Sequence, residues 1–220
     1  VPVFADDFQE GMDAANRGDF ERAFEIWEPL AKRGSALAQF NLGLMHDKGE
    51  GVKRNYKMAA KWYKLAARQG ISSAQFNLGW LYSKGKGVRQ SFKRTVMWYV
   101  RAAKQGNPAA QFNLGLMYDI GEGVTPDYKR AVKWYRLAAK QNNAQAQFNL
   151  GAMYAIGKGM PDDIVEAYKW INIASVDQTQ SKLASEARNI LKEQMTPYQI
   201  EEAQRLSTFW FNKRQELAQK

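Results

Sequence analysis

One six-residue word constrains this chain more than any other feature. Ala38-Gln39-Phe40-Asn41-Leu42-Gly43 recurs unchanged as Ala74 to Gly79, Ala110 to Gly115 and Ala146 to Gly151, always 36 residues apart. A fixed period in that range marks a solenoid array, in which each unit buries its apolar face against its neighbours. The fold expected is therefore all-α, built from repeated helix pairs.

The flanking residues repeat too. An aromatic follows each glycine by three positions at Tyr82, Tyr118 and Tyr154, with His46 in the first copy. Gly-x-Gly turns come next, at Gly49/Gly51, Gly85/Gly87, Gly121/Gly123 and Gly157/Gly159. Asn55, Ser91, Asp127 and Asp163 then occupy equivalent places, and all four are N-cap types, so the second helix of each unit is predicted to begin there. That helix carries Trp62-Tyr63, Trp98-Tyr99, Trp134-Tyr135 or Trp170-Ile171, followed by small pairs such as Ala66-Ala67. Large rings against small residues are what closely packed helices require. Gly70 and Gly106 end the first two of these helices, and Asn142, which tolerates left-handed geometry, ends the third.

The array has two atypical ends. Residues 1–34 read as a capping hairpin, with Phe8, Met12 and Ala15 before a turn at Arg17-Gly18-Asp19 and Trp27 in its second helix. The repeats occupy 35–178, as 35–70, 71–106, 107–142 and 143–178. Residues 179–220 are predicted to close the far end with a helix from Lys182 to Gln194 and another after Thr196-Pro197-Tyr198-Gln199. Ile200, Ala203, Leu206, Phe209 and Trp210 are expected to face the last repeat.

Together these features resemble the Sel-one-like repeat family, a bacterial relative of the tetratricopeptide repeats. Ala-Gln-Phe-Asn-Leu-Gly-x-x-Tyr, Gly-x-Gly-Val (Gly49 to Val52, Gly85 to Val88, Gly121 to Val124) and Trp-Tyr-x-x-Ala-Ala carry the likeness, over roughly residues 35–178. It implies an α/α superhelical solenoid that works as a non-catalytic adaptor for protein assembly, often in bacterial envelopes.

A helical wheel sorts the first helix of each unit. Ala38, Leu42, Gly43 and His46 share one side, the core. Phe40 and Leu44 fall at about 200° and 240° from Ala38, away from it. In this architecture such helices line the inner wall, so Phe40, Phe76, Phe112 and Phe148, with Leu44, Trp80 and Leu116, become candidates for holding a protein or peptide in a concave groove. Packing between neighbouring helices is the competing reading of the phenylalanines. Trp80 differs from its counterparts Leu44, Leu116 and Ala152, and tryptophan is enriched among dominant contacts. Asn41, Asn77, Asn113 and Asn149 form a second ladder. Each amide could hold an extended backbone, or could bond a carbonyl of the next repeat and only fix the stacking.

Net charge is +10, and the basic residues cluster on the second helices. Lys57, Lys61, Lys64 and Arg68 lie at helical spacing with no acid between Asn55 and Gly70. Lys93, Arg94, Arg101 and Lys104 repeat the pattern, as do Lys129, Arg130, Lys133, Arg136 and Lys140. The alternative function is thus electrostatic binding of an anionic surface, envelope lipid or polyanion. A solvated outer face is the plainer reading. No stacking aromatics or recognisable nucleic-acid module accompany the charge.

Catalytic material is scarce. With one histidine and no cysteine, zinc sites and histidine-based triads have almost nothing to be built from. The Gly-x-Gly turns lack the lysine and the strand-to-helix context of a phosphate loop. No enzyme, cofactor or metal is expected. No apolar run reaches 18 residues, so no transmembrane helix is expected. The chain starts at Val1, and Val3-Phe4-Ala5 before Asp6 suits a signal-peptidase site, which points to a periplasmic or secreted protein.

Overall fold

The computed structural model describes the backbone of residues 3–218 and the side chains of residues 7–216. Val1, and the side chains of Val3, Phe4 and Ala5 on which the processing expectation rests, lie outside the described residues. Among the described residues there are twelve α-helices and no strand. They run α1 (Val3–Asn16), α2 (Phe20–Lys32), α3 (Ala36–Lys48), α4 (Tyr56–Arg68), α5 (Ser72–Lys84), α6 (Phe92–Lys104), α7 (Pro108–Ile120), α8 (Tyr128–Lys140), α9 (Ala144–Ile156), α10 (Ile164–Ala174), α11 (Ser181–Glu193) and α12 (Pro197–Ala218). The chain divides into two compact units, the first ending at Ala110 and the second beginning at Gln111.

Local chemistry sets the helix boundaries. The side chains of Asn55, Ser91, Asp127 and Asp163 each accept a backbone N–H in the first turn of α4, α6, α8 and α10. Each satisfies a donor that the helix itself leaves unpaired. Asn142 holds φ +70°, the left-handed conformation that Gly70 and Gly106 adopt at the ends of α4 and α6. Thr196 and Gln199 form a reciprocal capping box at the start of α12: the Gln199 N–H donates to Thr196 Oγ1 (3.3 Å) and the Thr196 N–H to Gln199 Oε1 (2.9 Å).

Within each repeat the two helices meet at the glycine of the six-residue word. A Cβ placed on Gly43 would lie 2.4 Å from the Tyr63 ring, one on Gly79 2.7 Å from Tyr99, and one on Gly115 2.7 Å from Tyr135. Any larger residue would force the buried ring out, so the glycine is set by close approach of two helices and not by a turn. In the fourth repeat Ile171 takes the place of the ring, 2.6 Å from the Gly151 position.

Between repeats the buried glutamine of the same word makes the join. Gln39, Gln75, Gln111 and Gln147 are all at most 5% exposed. Gln39 Nε2 donates to the Ala31 carbonyl of α2 (3.0 Å), Gln75 Nε2 to Ala67 of α4 (3.1 Å) and Gln147 Nε2 to Ala139 of α8 (3.1 Å). Gln39, Gln75 and Gln111 also accept from Gln69, Gln105 and Gln141 at 2.8 Å. One amide therefore ties the C-terminal end of one outer helix to that of the next. A buried amide is tolerable only when both of its ends are satisfied in this way.

The C-terminal helices carry one departure from the sequence reading. α12 buries Ala203 and Ser207 and packs Ile200, Trp210 and Phe211 against the second unit, while Phe209 is 63% exposed. Trp210 meets Trp170 edge to face at 5.1 Å. Ser207 lies inside the packed stripe because its hydroxyl donates to the Ala203 carbonyl (2.8 Å). That hidden serine shifts the inner face of the helix by one position, and Phe209 turns outward.

Candidate interaction surfaces

All eleven residues proposed for partner contact, Phe40, Asn41, Leu44, Phe76, Asn77, Trp80, Phe112, Asn113, Leu116, Phe148 and Asn149, are half-buried. In the first three repeats the phenylalanine rests on the tyrosine that covers the glycine. Phe40 lies 6.0 Å from Tyr63, Phe76 5.4 Å from Tyr99 and Phe112 6.0 Å from Tyr135, centroid to centroid. One face of each ring is thus spent on packing and the remainder is accessible.

Asn41, Asn77 and Asn149 are engaged by preceding helices. Asn77 reaches the Tyr63 hydroxyl, which itself donates to Asp47 Oδ2 at 3.1 Å. Burial, aided by the Asp47 charge and opposed by Asn77, pushes that hydroxyl far above its ordinary range. Asn149 and Asp119 stand in the same relation to Tyr135, whose buried hydroxyl forms no hydrogen bond of ordinary geometry. Asn41 Nδ2 contacts Met12 Sδ at 3.6 Å, and Asn113 is engaged as well. The partner of Asn77 is a side-chain hydroxyl and not the backbone carbonyl that a stacking role was expected to use.

The apolar stripe extends further than the sequence reading took it. Phe112, Leu116 and Ile120 lie at i, i+4 and i+8 on α7, and Phe148, Ala152 and Ile156 do so on α9. Ile120 is 59% and Ile156 70% exposed. Against α9 the stripe borders an apolar cavity of about 230 Å³, lined by Phe148, Ala152, Ile156 and, from α11, Ala187, Ile190 and Leu191. In α3 and α5 the equivalent positions are Lys48 and Lys84, both exposed. Continuing the four-residue step by one more turn would have found the isoleucines.

All thirteen residues proposed for the basic face, on α4, α6 and α8, are exposed. Many of them also serve the fold. Lys61, Arg101 and Lys133 lie over Trp62, Trp98 and Trp134 at 5.7, 4.7 and 6.0 Å. Arg94 and Arg130 donate to the Tyr82 and Tyr118 hydroxyls at 3.3 Å, and Arg136 to Tyr154 at 3.0 Å. Cations that cover aromatic edges explain much of the basic bias without any anionic ligand. His46, in the tyrosine slot, meets Phe24 edge to face at 6.0 Å, and burial lowers its pKa. Met58 occupies the place of Arg94 and Arg130 there, so tyrosine and arginine are lost together.

The profile of the Sel1 repeat family matches residues 36–71, 72–107, 108–143 and 144–175, well over half of the chain. The chain belongs to the Sel1 repeat family. Its likeness to solved Sel1 repeat structures is close. A protective antigen of uropathogenic Escherichia coli with an SLR fold is 34% identical over 96% of this chain, with a TM-score of 0.84. The chain spans 46% of that antigen's length. A Sel1 repeat protein from Oxalobacter formigenes is 31% identical over 97% of this chain and 88% of its own, with a TM-score of 0.80. No curated protein matches the chain. Sel1 repeat proteins generally mediate protein–protein interaction and are typically non-catalytic. Among the described residues no helix is long and apolar enough to cross a membrane.

Proposed function

We propose that this Sel1 repeat chain is a non-catalytic scaffold that holds a protein partner on the first-helix faces of its repeats. The observation that carries the reading is the solvent-open apolar stripe of α7 and α9, which ends at Ile120 and Ile156. Exposed aliphatic residues continuous with an apolar cavity are costly unless a partner covers them. In the first unit the stripe is represented by Phe40, Leu44, Phe76 and Trp80, with Lys86 Nζ lying 4.8 Å over both the Trp80 and Tyr56 rings. That unit presents a flat aromatic contact with a cation beside it.

Site-specific photocrosslinking tests the reading. A benzophenone side chain at position 156 or 80 is expected to trap a discrete partner from the native host, whereas one at Lys64, on the outer helix, traps none. Equal trapping from all three positions would remove the proposal. The same experiment at raised salt addresses an anionic surface, because contacts made by the basic face weaken steeply as the Debye length shrinks and apolar contacts do not.

A further inference from the structure

The outward turn of Phe209 creates a second surface, separate from the first-helix faces. A cavity of about 540 Å³ lies where α12 meets the last residue of α8 and the middle of α10. Leu206, Phe209 and Trp210 give it an apolar lining, and Lys140, Lys169, Lys213 and Arg214 surround that lining.

These cations are not equivalent. Lys169 is paired with Glu166 at 2.5 Å and lies 4.8 Å over Trp170, so its charge is already answered. Arg214 donates to the Lys140 carbonyl at 3.1 Å, a bond that fastens α12 to the last turn of α8 and leaves its charge uncompensated. Lys213 lies 6.0 Å over Phe209 and Arg214 5.9 Å over Trp210. Among the described residues, neither Lys140, Lys213 nor Arg214 has an acidic partner within ion-pair distance. A smaller basic cavity of about 310 Å³ along α8, which includes Lys133 and Arg136, shares Lys140 and carries the positive strip onward.

We infer that this cavity is a docking site for an acidic peptide segment of a partner protein, anchored by one aromatic residue. The aromatic side chain enters between Phe209 and Trp210, where ring contacts reward it, while flanking carboxylates meet Lys140, Lys213 and Arg214. Concavity favours a peptide over a bilayer, because a membrane surface seats on protruding apolar groups and cannot enter a recess of this size. The volume lies in the range of pockets that receive a small organic ligand, ample for one aromatic side chain.

The test uses the full chain and fluorescein-labelled Glu-Glu-Trp-Glu-Glu, with Glu-Glu-Ala-Glu-Glu as the comparison, read by fluorescence anisotropy. The tryptophan peptide is expected to bind the wild-type chain at least about fivefold more tightly than the alanine peptide. Lys140→Glu with Lys213→Glu should weaken it about tenfold or more, and Phe209→Ser about fivefold. All three positions are exposed, so circular dichroism should show the fold unchanged. Lys61→Glu with Lys64→Glu in the first unit makes the same change of charge elsewhere and should leave affinity unaltered. The proposal is overturned if the wild-type chain fails to bind, if both peptides bind equally, or if the control pair weakens binding as much as the site pair does. Binding to vesicles of phosphatidylglycerol and phosphatidylcholine in equal parts that is lost in the site variants, without peptide binding, would replace it with a lipid surface.

Discussion

The two units contain the same helix pairs, yet their first-helix faces end differently. In the first unit the stripes run Phe40-Leu44-Lys48 and Phe76-Trp80-Lys84; in the second they run Phe112-Leu116-Ile120 and Phe148-Ala152-Ile156. The positions beneath, Ala, Leu, Gly and the buried Gln, do not vary at all. On the opposite side the phenylalanines and asparagines also repeat unchanged, and the copies differ only four and eight positions after each phenylalanine, at Leu44, Trp80, Leu116 and Ala152 and at Lys48, Lys84, Ile120 and Ile156. The first unit offers aromatic surface rimmed by lysine, and the second offers aliphatic surface with no charge at its end. The two endings call for different partner chemistries, which is a route to specificity without deep pockets.

The sharpest way to break the comparison is to ask whether the hidden side is truly common. Gly43→Val in the first unit and Gly115→Val in the second should each cost about 3 kcal/mol in chemical denaturation, because the added groups meet Tyr63 and Tyr135 rings that have no room to retreat. A cost in one unit only would mean that the two cores are not equivalent. The glutamine joint should follow at about 1–2 kcal/mol for Gln75→Met or Gln147→Met, since each removes a buried hydrogen bond between helices and leaves the Ala67 or Ala139 carbonyl with only its backbone donor, Gly70 or Asn142. The exposed side should behave oppositely. Ile156→Lys gives the second unit the ending of the first, and it should leave stability within about 0.5 kcal/mol while weakening the trapped partner about tenfold. Lys84→Ile in the first unit tests whether the aliphatic ending is sufficient, by gain of affinity for the same partner.

Much of this organisation was legible in the sequence because it is local. Period, caps and turns each depend on residue types a few positions apart, or on a repeat that shows them four times; that Gly43, Gly79 and Gly115 each meet a ring of the next helix depends on the packed pair. What was not legible depends on partners brought together by the stack. Gln39 stands in every copy of the repeated word, but its meaning requires Ala31 in the preceding helix and Gln69, thirty positions on. The Asn ladder leaves two readings open in the sequence, a partner's backbone or a carbonyl of the next repeat, and the Tyr63 hydroxyl beside Asn77 is a third that only the stack reveals. Phe209 is expected inward from apolar spacing alone, yet Ser207 takes the buried position, because a serine that bonds its own helix can sit in a core at small cost. Ile120 and Ile156 stand outside the pattern for a different reason: they follow the repeated word, in the last helical turn, where the copies differ.

The smallest effect concerns a place where the hidden side itself departs from the repeat, His46. Its folded pKa is lowered, first by burial, with Glu28 acting in the opposite direction. The neutral ring is the form that fits, so the unfolded chain binds a proton more readily than the folded one. Stability from this group is therefore fully present above the ordinary histidine value and is lost as pH falls from there through the lowered folded value. His46→Tyr should abolish that slope and, at neutral pH, change stability by no more than about 0.5 kcal/mol, because its new hydroxyl faces Met58 and not an arginine. Adding Met58→Arg supplies the missing half of the pair seen at Tyr82–Arg94 and Tyr118–Arg130. The double variant should then be more stable than the two single changes sum to, as expected for side chains in direct contact. Simple additivity would show that the tyrosine–arginine pair of the later repeats is only a neighbourly arrangement on the surface. It would also show that the first repeat lost nothing when it gave up both members together.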